Sequence, residues 1–456
     1  MEVDVVDADE AEHTRGLQTW ITSGGRVARH VGRPVQRFLH IEASGGIVLL
    51  VATVIALLWA NFGGDSYGDF WSTEFSLDMP RLLVAEDLHG WVNDGLMVVF
   101  FFVVGLEIKR EWVMGELRDT RAALMPGLAA LGGMVVPALI YLAATVGTDY
   151  GHGWGIPMAT DIAFALGVLA LLGSRVPSSL KVFLLTLAIV DDIGAILVIA
   201  FVYSDNISFG WLAIAGVLLV VTRLMRYVGI WYMPAYVIMA GAIWLAVLES
   251  GVHATLAGVI LGIMTPMTAL NPKFSRRQLD LALEEAGDDP SRIVDASKLI
   301  RESVPVGLRL ERAIHPWSSF VIIPIFALAN AGIVLNGEII GDAVTSQVTL
   351  GIVLGLIVGK VVGISGAVWL ARRLGVGSLP AGSSFSQIVG VAAIAGIGFT
   401  VSLFITELAF NSEDIVSQAK IGVLAASVTA AVIGALILLR RSPAKSEPTE
   451  VPLVDP

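Results

Sequence analysis

Residues 184–202 read LLTLAIVDDIGAILVIAFV, an apolar run interrupted at its middle by two adjacent aspartates, Asp191 and Asp192. The run is long enough to cross a bilayer as a helix. A carboxylate at the centre of such a helix costs roughly 2.5–3.5 kcal/mol on insertion scales, so it is expected to face a cavity or a partner. Adjacent positions on a helix diverge by about 100°, so the two side chains cannot point the same way. One can face a water-filled cavity while the other meets a neighbouring helix. Two carboxylates held a few ångströms apart in low dielectric resist double ionisation and titrate as a coupled pair. Such a site holds protons or a hard cation: Na+ prefers oxygen ligands, and carboxylates, hydroxyls and unwound backbone carbonyls all supply them.

The rest of the chain has the same apolar character. Of 456 residues, 55% are hydrophobic and 15% charged, where ordinary soluble domains are about a quarter charged. The fold class expected is an all-α polytopic membrane protein. The net charge of -11 resides mainly in tails and loops and does not point to a nucleic-acid partner. With no cysteine, disulfides, thiolate metal sites and cysteine nucleophiles are excluded. No nucleophile–base pair or metal-ligand cluster stands out, so neither enzymatic activity nor a cofactor is expected. Three regions follow: an N-terminal tail 1–40 without a signal-peptide run, a transmembrane domain 41–440, and a disordered tail 441–456.

Twelve apolar segments are expected near 44–62, 88–106, 122–145, 156–173, 182–203, 208–221, 228–249, 253–266, 318–335, 348–371, 385–409 and 417–439. The connections then sort by charge. Those near 62–87, 146–155, 204–207, 250–252, 336–347 and 410–416 contain one Lys or Arg, Arg81. The opposite set holds Lys109, Arg110, Arg118, Arg121, Arg175, Lys181, Arg223, Arg226, Arg372, Arg373 and a basic-rich loop 267–317. The positive-inside rule makes this set, and both termini, cytoplasmic. Within the long loop, the spacing of Leu279, Leu283, Ile293 and Leu299 suggests short amphipathic helices. The outer loop 63–86 is expected to form a small hairpin or a partner contact.

Besides the aspartate pair, Asp94, Asp161 and Lys360 lie within apolar segments. Lys360, in LGLIVGKVVGI, would be costly unpaired, and the aspartates offer it a central partner. The fourth segment carries Pro157, Thr160 and Asp161, and the eleventh Gly396, Gly398, Thr400 and Ser402. Both therefore read as broken helices in the middle of a triplet, spans 3–5 and 10–12, the pattern of inverted-topology repeats whose discontinuous helices cross at the membrane midplane. There Asp161 suits the positive helix N-termini and Lys360 the negative C-termini.

The phrases FFVVGLEIKRE, IPMATDIAFALGVLALLGSRVP, LAIVDDIGAI, SGVHATLAGVI, HPWSSFVIIPIFALANAG, LIVGKVVGI and GIGFTVSLFI, in order over roughly residues 37–440, resemble those of bacterial NhaA-type sodium/proton antiporters. NhaA is itself one of the transporters from which the inverted-repeat rule was drawn. The resemblance implies an electrogenic, pH-regulated Na+(Li+)/H+ antiporter of the bacterial cytoplasmic membrane that exports sodium in exchange for protons by alternating access. It also implies a homodimer, for which the outer loop 63–86 is the expected contact. Carried over by position, Asp191 and Asp192 are the ion and proton carriers and the Na+ ligands. Thr160 and Asp161 lie at the broken fourth helix, Gly396, Gly398 and Thr400 line the other break, and Lys360 pairs with Asp191. The family's pH-response cluster maps onto Glu107, Arg110, Glu111, Glu311 and His315, with His253 near the outer end of span eight. Arg312 stands where a second histidine is expected, and arginine does not titrate near neutral pH.

Two other transport-related readings fit the residues less well. A sodium-coupled organic-anion symporter on a similar scaffold needs a larger polar pocket, and few other polar clusters stand out within the spans. A channel-like sensor has no need of paired carboxylates with a lysine partner.

Overall fold

A computed structural model describes residues 44–79, 82–204, 207–228, 233–268, 289 and 304–440. The two tails and the expected amphipathic turns at 279–299 lie outside these residues. The described chain is mostly helical. Among the described residues, seven helices are long and apolar enough to cross a membrane, or up to nine if each of two bent pairs is counted as one span. The protein is thus a multi-pass membrane protein.

The first span, α1 (Ser44–Phe62), leads through a short helix α2 (Ser66–Trp71) into the antiparallel strands β1 (Glu74–Met79) and β2 (Leu82–Asp87). The hairpin expected in the outer loop is therefore present. Its register pairs Glu74 with Asp87 and Met79 with Leu82. Next come α3 (Leu88–Val113), α4 (Thr120–Ala144), a 3-10 segment (Asp149–Met158), α5 (Ile162–Leu171) and α6 (Ser178–Val202). Three shorter apolar helices follow, α7 (Phe209–Tyr227), α8 (Met233–Leu248) and α9 (Thr255–Met264). The described chain ends with α10 (Val306–Asn330), α11 (Gly337–Thr345), α12 (Gln347–Arg373), α13 (Phe385–Ile394), α14 (Phe399–Ala409) and α15 (Glu413–Leu439).

Three boundaries depart from the sequence reading. Helix α10 begins at Val306, inside what was expected to be loop 267–317. Its first three turns are amphipathic, with Gly307 and Glu311 buried and Arg312 exposed, and they continue into the apolar part without a stop. Pro316 is accommodated next to a π-helical turn at Ser318–Ile322, where the ladder is already widened. Second, the expected outer loop 146–155 is largely the 3-10 segment Asp149–Met158. Third, Arg223, Arg372 and Arg373, placed by sequence at or beyond span ends, belong to α7 and α12. Long basic side chains reach back to polar surroundings, and the helix C-terminus favours their charge.

The core that carries the site is built on glycine. Helices α4 and α12 cross so closely that a Cβ on Gly132 would collide with the Gly363 carbonyl, and one on Gly363 with the Gly132 carbonyl. Small residues permit this approach where apolar helices gain nothing from leaving lipid. Pro137 of α4 rests against Gly359, and Pro157 against Gly355, in a π-helical turn (Gly355–Gly359) directly before Lys360. On α6, a Cβ at Gly194 would meet the Met134 sulfur of α4. We expect Gly363→Val to destabilise the protein by about 1–3 kcal/mol through overpacking. A thermal-unfolding midpoint equal to wild type would refute this account of the crossing.

Candidate functional site: the junction of two bent helix pairs

Each bent pair breaks at polar or flexible residues. The 3-10 segment and α5 meet at 43°, separated by Ala159, Thr160 and Asp161; α13 and α14 meet at 48° across residues 395–398. The extended backbone at Asp161 (φ -85°, ψ 102°) ends the first piece, and the Asp161 carboxylate starts the second by accepting from Phe164 N at 3.0 Å.

The two breaks are joined to each other. Asp161 N donates to Ile397 O at 2.6 Å, and the Thr160 hydroxyl lies 2.9 Å from Ala395 O. The second Asp161 oxygen accepts from the amide and hydroxyl of Thr400 at 3.0 and 2.8 Å. A single buried carboxylate thus caps the N-termini of both α5 and α14, where the aligned peptide dipoles favour negative charge. Ser402 Oγ adds a bond to Ile156 O at 2.7 Å. Close contact again depends on glycine: a Cβ at Gly396 would strike the Leu356 carbonyl, and one at Gly398 the Ser402 hydroxyl.

Beside the crossing, α12 delivers Lys360 and α6 delivers the aspartates. Lys360 Nζ lies 2.6 Å from Asp191 Oδ2 and 3.0 Å from Thr160 Oγ1, and it also donates to the Met158 carbonyl. That carbonyl ends the 3-10 segment, so the ammonium meets the negative end of one half-helix as Asp161 meets the positive end of the other. Thr160 Oγ1 is 2.7 Å from Asp191 Oδ2 as well as near Ala395 O. Its one proton serves either acceptor but not both. Lys360 is 0% exposed, and the side chains of both ion-pair members are fully buried.

Asp192 is in a different position. It is 8% exposed and, among the described residues, has no hydrogen-bond or ion-pair partner. The charges of Asp191, Glu107, Asp161 and Lys360 all act on it electrostatically. The helical step therefore commits one carboxylate to the lysine and leaves its neighbour free.

Glu107, Arg110, Glu111, Glu311 and His315 are brought together where the end of α3 meets the start of α10. Arg110 pairs with Glu311 and, at 3.1 Å, with Glu111, whose other oxygen accepts from Glu116 N at 3.1 Å. His315 Nε2 is 3.9 Å from Glu107 Oε1. His253 is not part of this group. Its Nε2 lies 2.5 Å from the carbonyl of Tyr203, which caps α6, and Tyr203 in turn bonds to His152 O and Gly155 N. Gly262, at the far end of α9, packs on Gly105 beside Glu107; His253 lies just before the other end of that helix, Thr255, which is roughly 10 Å of helix rise away.

Three polar features escaped the sequence reading. His89 Nε2, Asn330 and Asn93 close a triangle between α3 and α10: His89 Nε2 to Asn330 Oδ1 at 3.0 Å, Asn330 Nδ2 to Asn93 Oδ1 at 2.9 Å, and Asn93 Nδ2 to His89 Nδ1 at 3.4 Å. The second is an ion pair within the last two spans, Lys420 Nζ to Glu407 Oε1 at 2.6 Å. The third is the Met158 carbonyl, a backbone group that no side-chain pattern announces. The expectation of few other polar clusters within the spans is therefore corrected. An asparagine in each of two apolar runs, WVNDG and LANAG, was the available signal. Asp94, adjacent to the triangle in sequence, sits in a π-helical turn (Trp91–Leu96), and its carbonyl accepts from Trp244 Nε1 at 2.6 Å.

Residues 36–438 match the family described as Na+/H+ antiporter 1. The chain is 45% identical over 428 residues to a Frankia alni protein named Na(+)/H(+) antiporter NhaA 3, covering 93% of this chain and 92% of that one. It is 46% identical over 429 residues to the Myxococcus xanthus Na(+)/H(+) antiporter NhaA 2, covering 91% and 90%. To the Rhodopirellula baltica Na(+)/H(+) antiporter NhaA it is 46% identical over 417 residues, covering 89% and 94%.

Proposed function

Because the chain belongs to the NhaA family of Na+/H+ antiporters, a family of transporters rather than enzymes, we propose that it exchanges Na+ or Li+ for H+ by alternating access, with Asp191 and Asp192 as the shared carriers. The observation that carries this reading is the asymmetry of the pair: Asp191 engaged by Lys360 and Thr160, Asp192 beside it without a partner.

The exchange needs only charge balance. A cation arriving at Asp192 requires that carboxyl to be deprotonated, so a proton leaves as the ion binds. If Asp191 turns to share the ion, the ammonium of Lys360 loses its counter-charge and can give up a second proton. Return of protons from the other side expels the cation and restores the ion pair. More protons than cations then move per cycle, which makes transport electrogenic and lets the membrane potential drive sodium export.

In this reading the three shorter apolar helices complete twelve spans, with both termini cytoplasmic as the loop charges require. Each bent pair is the discontinuous middle member of an inverted repeat, spans 3–5 and 10–12, and their crossing marks the midplane. Rocking of that bundle exposes Asp192 to each side in turn. The membrane is the bacterial cytoplasmic membrane. The Arg110 cluster tunes the response to pH from the cytoplasmic end of α3, within electrostatic reach of Asp192 through Glu107. A homodimer through the hairpin of loop 63–86 is the proposed assembly. The organic-anion symporter is disfavoured, because the amides of the additional polar triangle satisfy one another and leave little to hold a substrate.

Inside-out vesicles with an imposed acid interior test the proposal. Addition of Na+ or Li+ should dissipate the pH gradient, and addition of choline should not. A gradient unaffected by either alkali cation would refute it.

A further inference from the structure

On the hairpin side of the molecule lies a cavity of about 800 Å3, walled by aromatic rings and unrelated to the carboxylate site. The lining rings are Trp59 of α1, Phe70 and Trp71 of α2, Phe75 of β1, Trp91 of α3 and Trp244 of α8. They pack in two groups. Trp59 and Phe70 centroids lie 5.4 Å apart and Phe70 and Trp71 5.0 Å, while Phe75 and Trp91 are 5.9 Å and Trp91 and Trp244 6.0 Å apart. Hydrogen bonds orient three of the four indoles, Trp59 Nε1 to Ser66 Oγ at 3.0 Å, Trp91 Nε1 to Phe75 O at 2.7 Å and Trp244 Nε1 to Asp94 O at 2.6 Å, whereas the buried Trp71 Nε1 has no hydrogen-bond partner among the described residues. Val92 and Leu328 contribute aliphatic lining.

The surrounding charge is predominantly negative. Between residues 62 and 96 there are seven carboxylates against a single cationic side chain, Arg81. Asp69 adjoins Phe70, Glu74 adjoins Phe75, and the Glu86 carboxylate lies over Gly90, one residue before Trp91. An apolar cavity of this size, sited where interfacial tryptophans stand, takes an alkyl chain. Aromatic faces beside carboxylates add a preference for an ammonium group and against an anionic headgroup.

We propose that this cavity is a binding site for an outer-leaflet phospholipid whose headgroup ends in an ammonium, with the ammonium among the rings and an acyl chain along the aliphatic lining. Charge complementarity selects this occupant: an anionic phospholipid would bring its net charge against the carboxylates, whereas the zwitterion brings a cation.

Full-length protein is delipidated in detergent and offered equimolar phosphatidylethanolamine and phosphatidylglycerol of matched acyl chains, and retained lipid is counted by native mass spectrometry. The protein should retain phosphatidylethanolamine over phosphatidylglycerol by about tenfold, the discrimination that one or two cation–π contacts supply. The half-exposed rings allow a conservative disruption: Phe70→Ser with Phe75→Ser should abolish the preference while the protein still elutes as a single folded species. Glu86→Gln should reduce the preference without touching the rings. Equal retention of the two lipids, retention of neither, or a double variant that behaves as wild type would each overturn the proposal. The readout does not involve ion exchange, so its failure leaves the antiport reading standing.

Discussion

Asp192→Asn is expected to abolish the collapse of a pH gradient by Na+ or Li+, lowering exchange by two orders of magnitude or more, equivalent to about 3 kcal/mol or more. The amide keeps the shape of the carboxylate and loses its charge. Asp192 has no hydrogen-bond or ion-pair partner among the described residues, so removing the charge breaks no structural contact there. The variant should therefore fold, insert and unfold at a temperature close to wild type, and isothermal titration should detect no Na+ binding. The combination of retained stability and lost exchange separates a carrier from a structural group. Sodium-driven exchange at wild-type rates in this variant would eliminate the two-carboxylate mechanism altogether.

Lys360→Ala should have the opposite signature. Removing the ammonium leaves Asp191 buried with only the Thr160 hydroxyl, and breaking one side of a buried pair costs about 3–5 kcal/mol. It also frees the Met158 carbonyl, the end of the 3-10 segment, from its donor. We expect a large fall in the thermal-unfolding midpoint. Adding Asp191→Asn to the same chain should restore much of the loss, because the uncompensated carboxylate is then gone. A double-mutant cycle with no coupling would show that the pair contributes nothing to the fold. Charge movement measured on supported membranes tests the second role: if Lys360 releases a proton in each cycle, its loss diminishes the current carried per sodium ion.

Much of this was legible in the chain itself. Asp191, Asp192, Asp161 and Lys360 announce themselves as charges in hydrocarbon, since few residues incur that cost without a partner. The bends near 157–161 and 396–398 are visible because proline, glycine and clustered hydroxyls interrupt an apolar pattern. The start of α10 was not legible: its first three turns are amphipathic, and a hydropathy reading assigns polar helix to loop. Glu407 and Lys420 escaped notice because each sits near the end of its span, where a charge alone is unremarkable, and only their 2.6 Å approach makes them a pair. The resemblance places His253 near the outer end of span eight, and the tertiary structure adds what a linear pattern does not show, a hydrogen bond from its ring to the carbonyl that ends α6.

The amino-acid sequence by itself determined that this is a helical membrane protein, which carboxylates and lysine lie within its apolar segments, and where two of those segments bend, because hydrocarbon penalises charge and unpaired backbone residue by residue. The tertiary structure decided how those groups are apportioned. Only the close glycine-mediated approach of α12 to α4 places Lys360 on Asp191 rather than Asp192, and only the crossing lets one carboxylate, Asp161, cap two helices from different parts of the chain. Partner choice depends on distance and direction between segments some two hundred residues apart, as the Lys360–Met158 and Asp161–Thr400 contacts are, and a linear pattern carries neither.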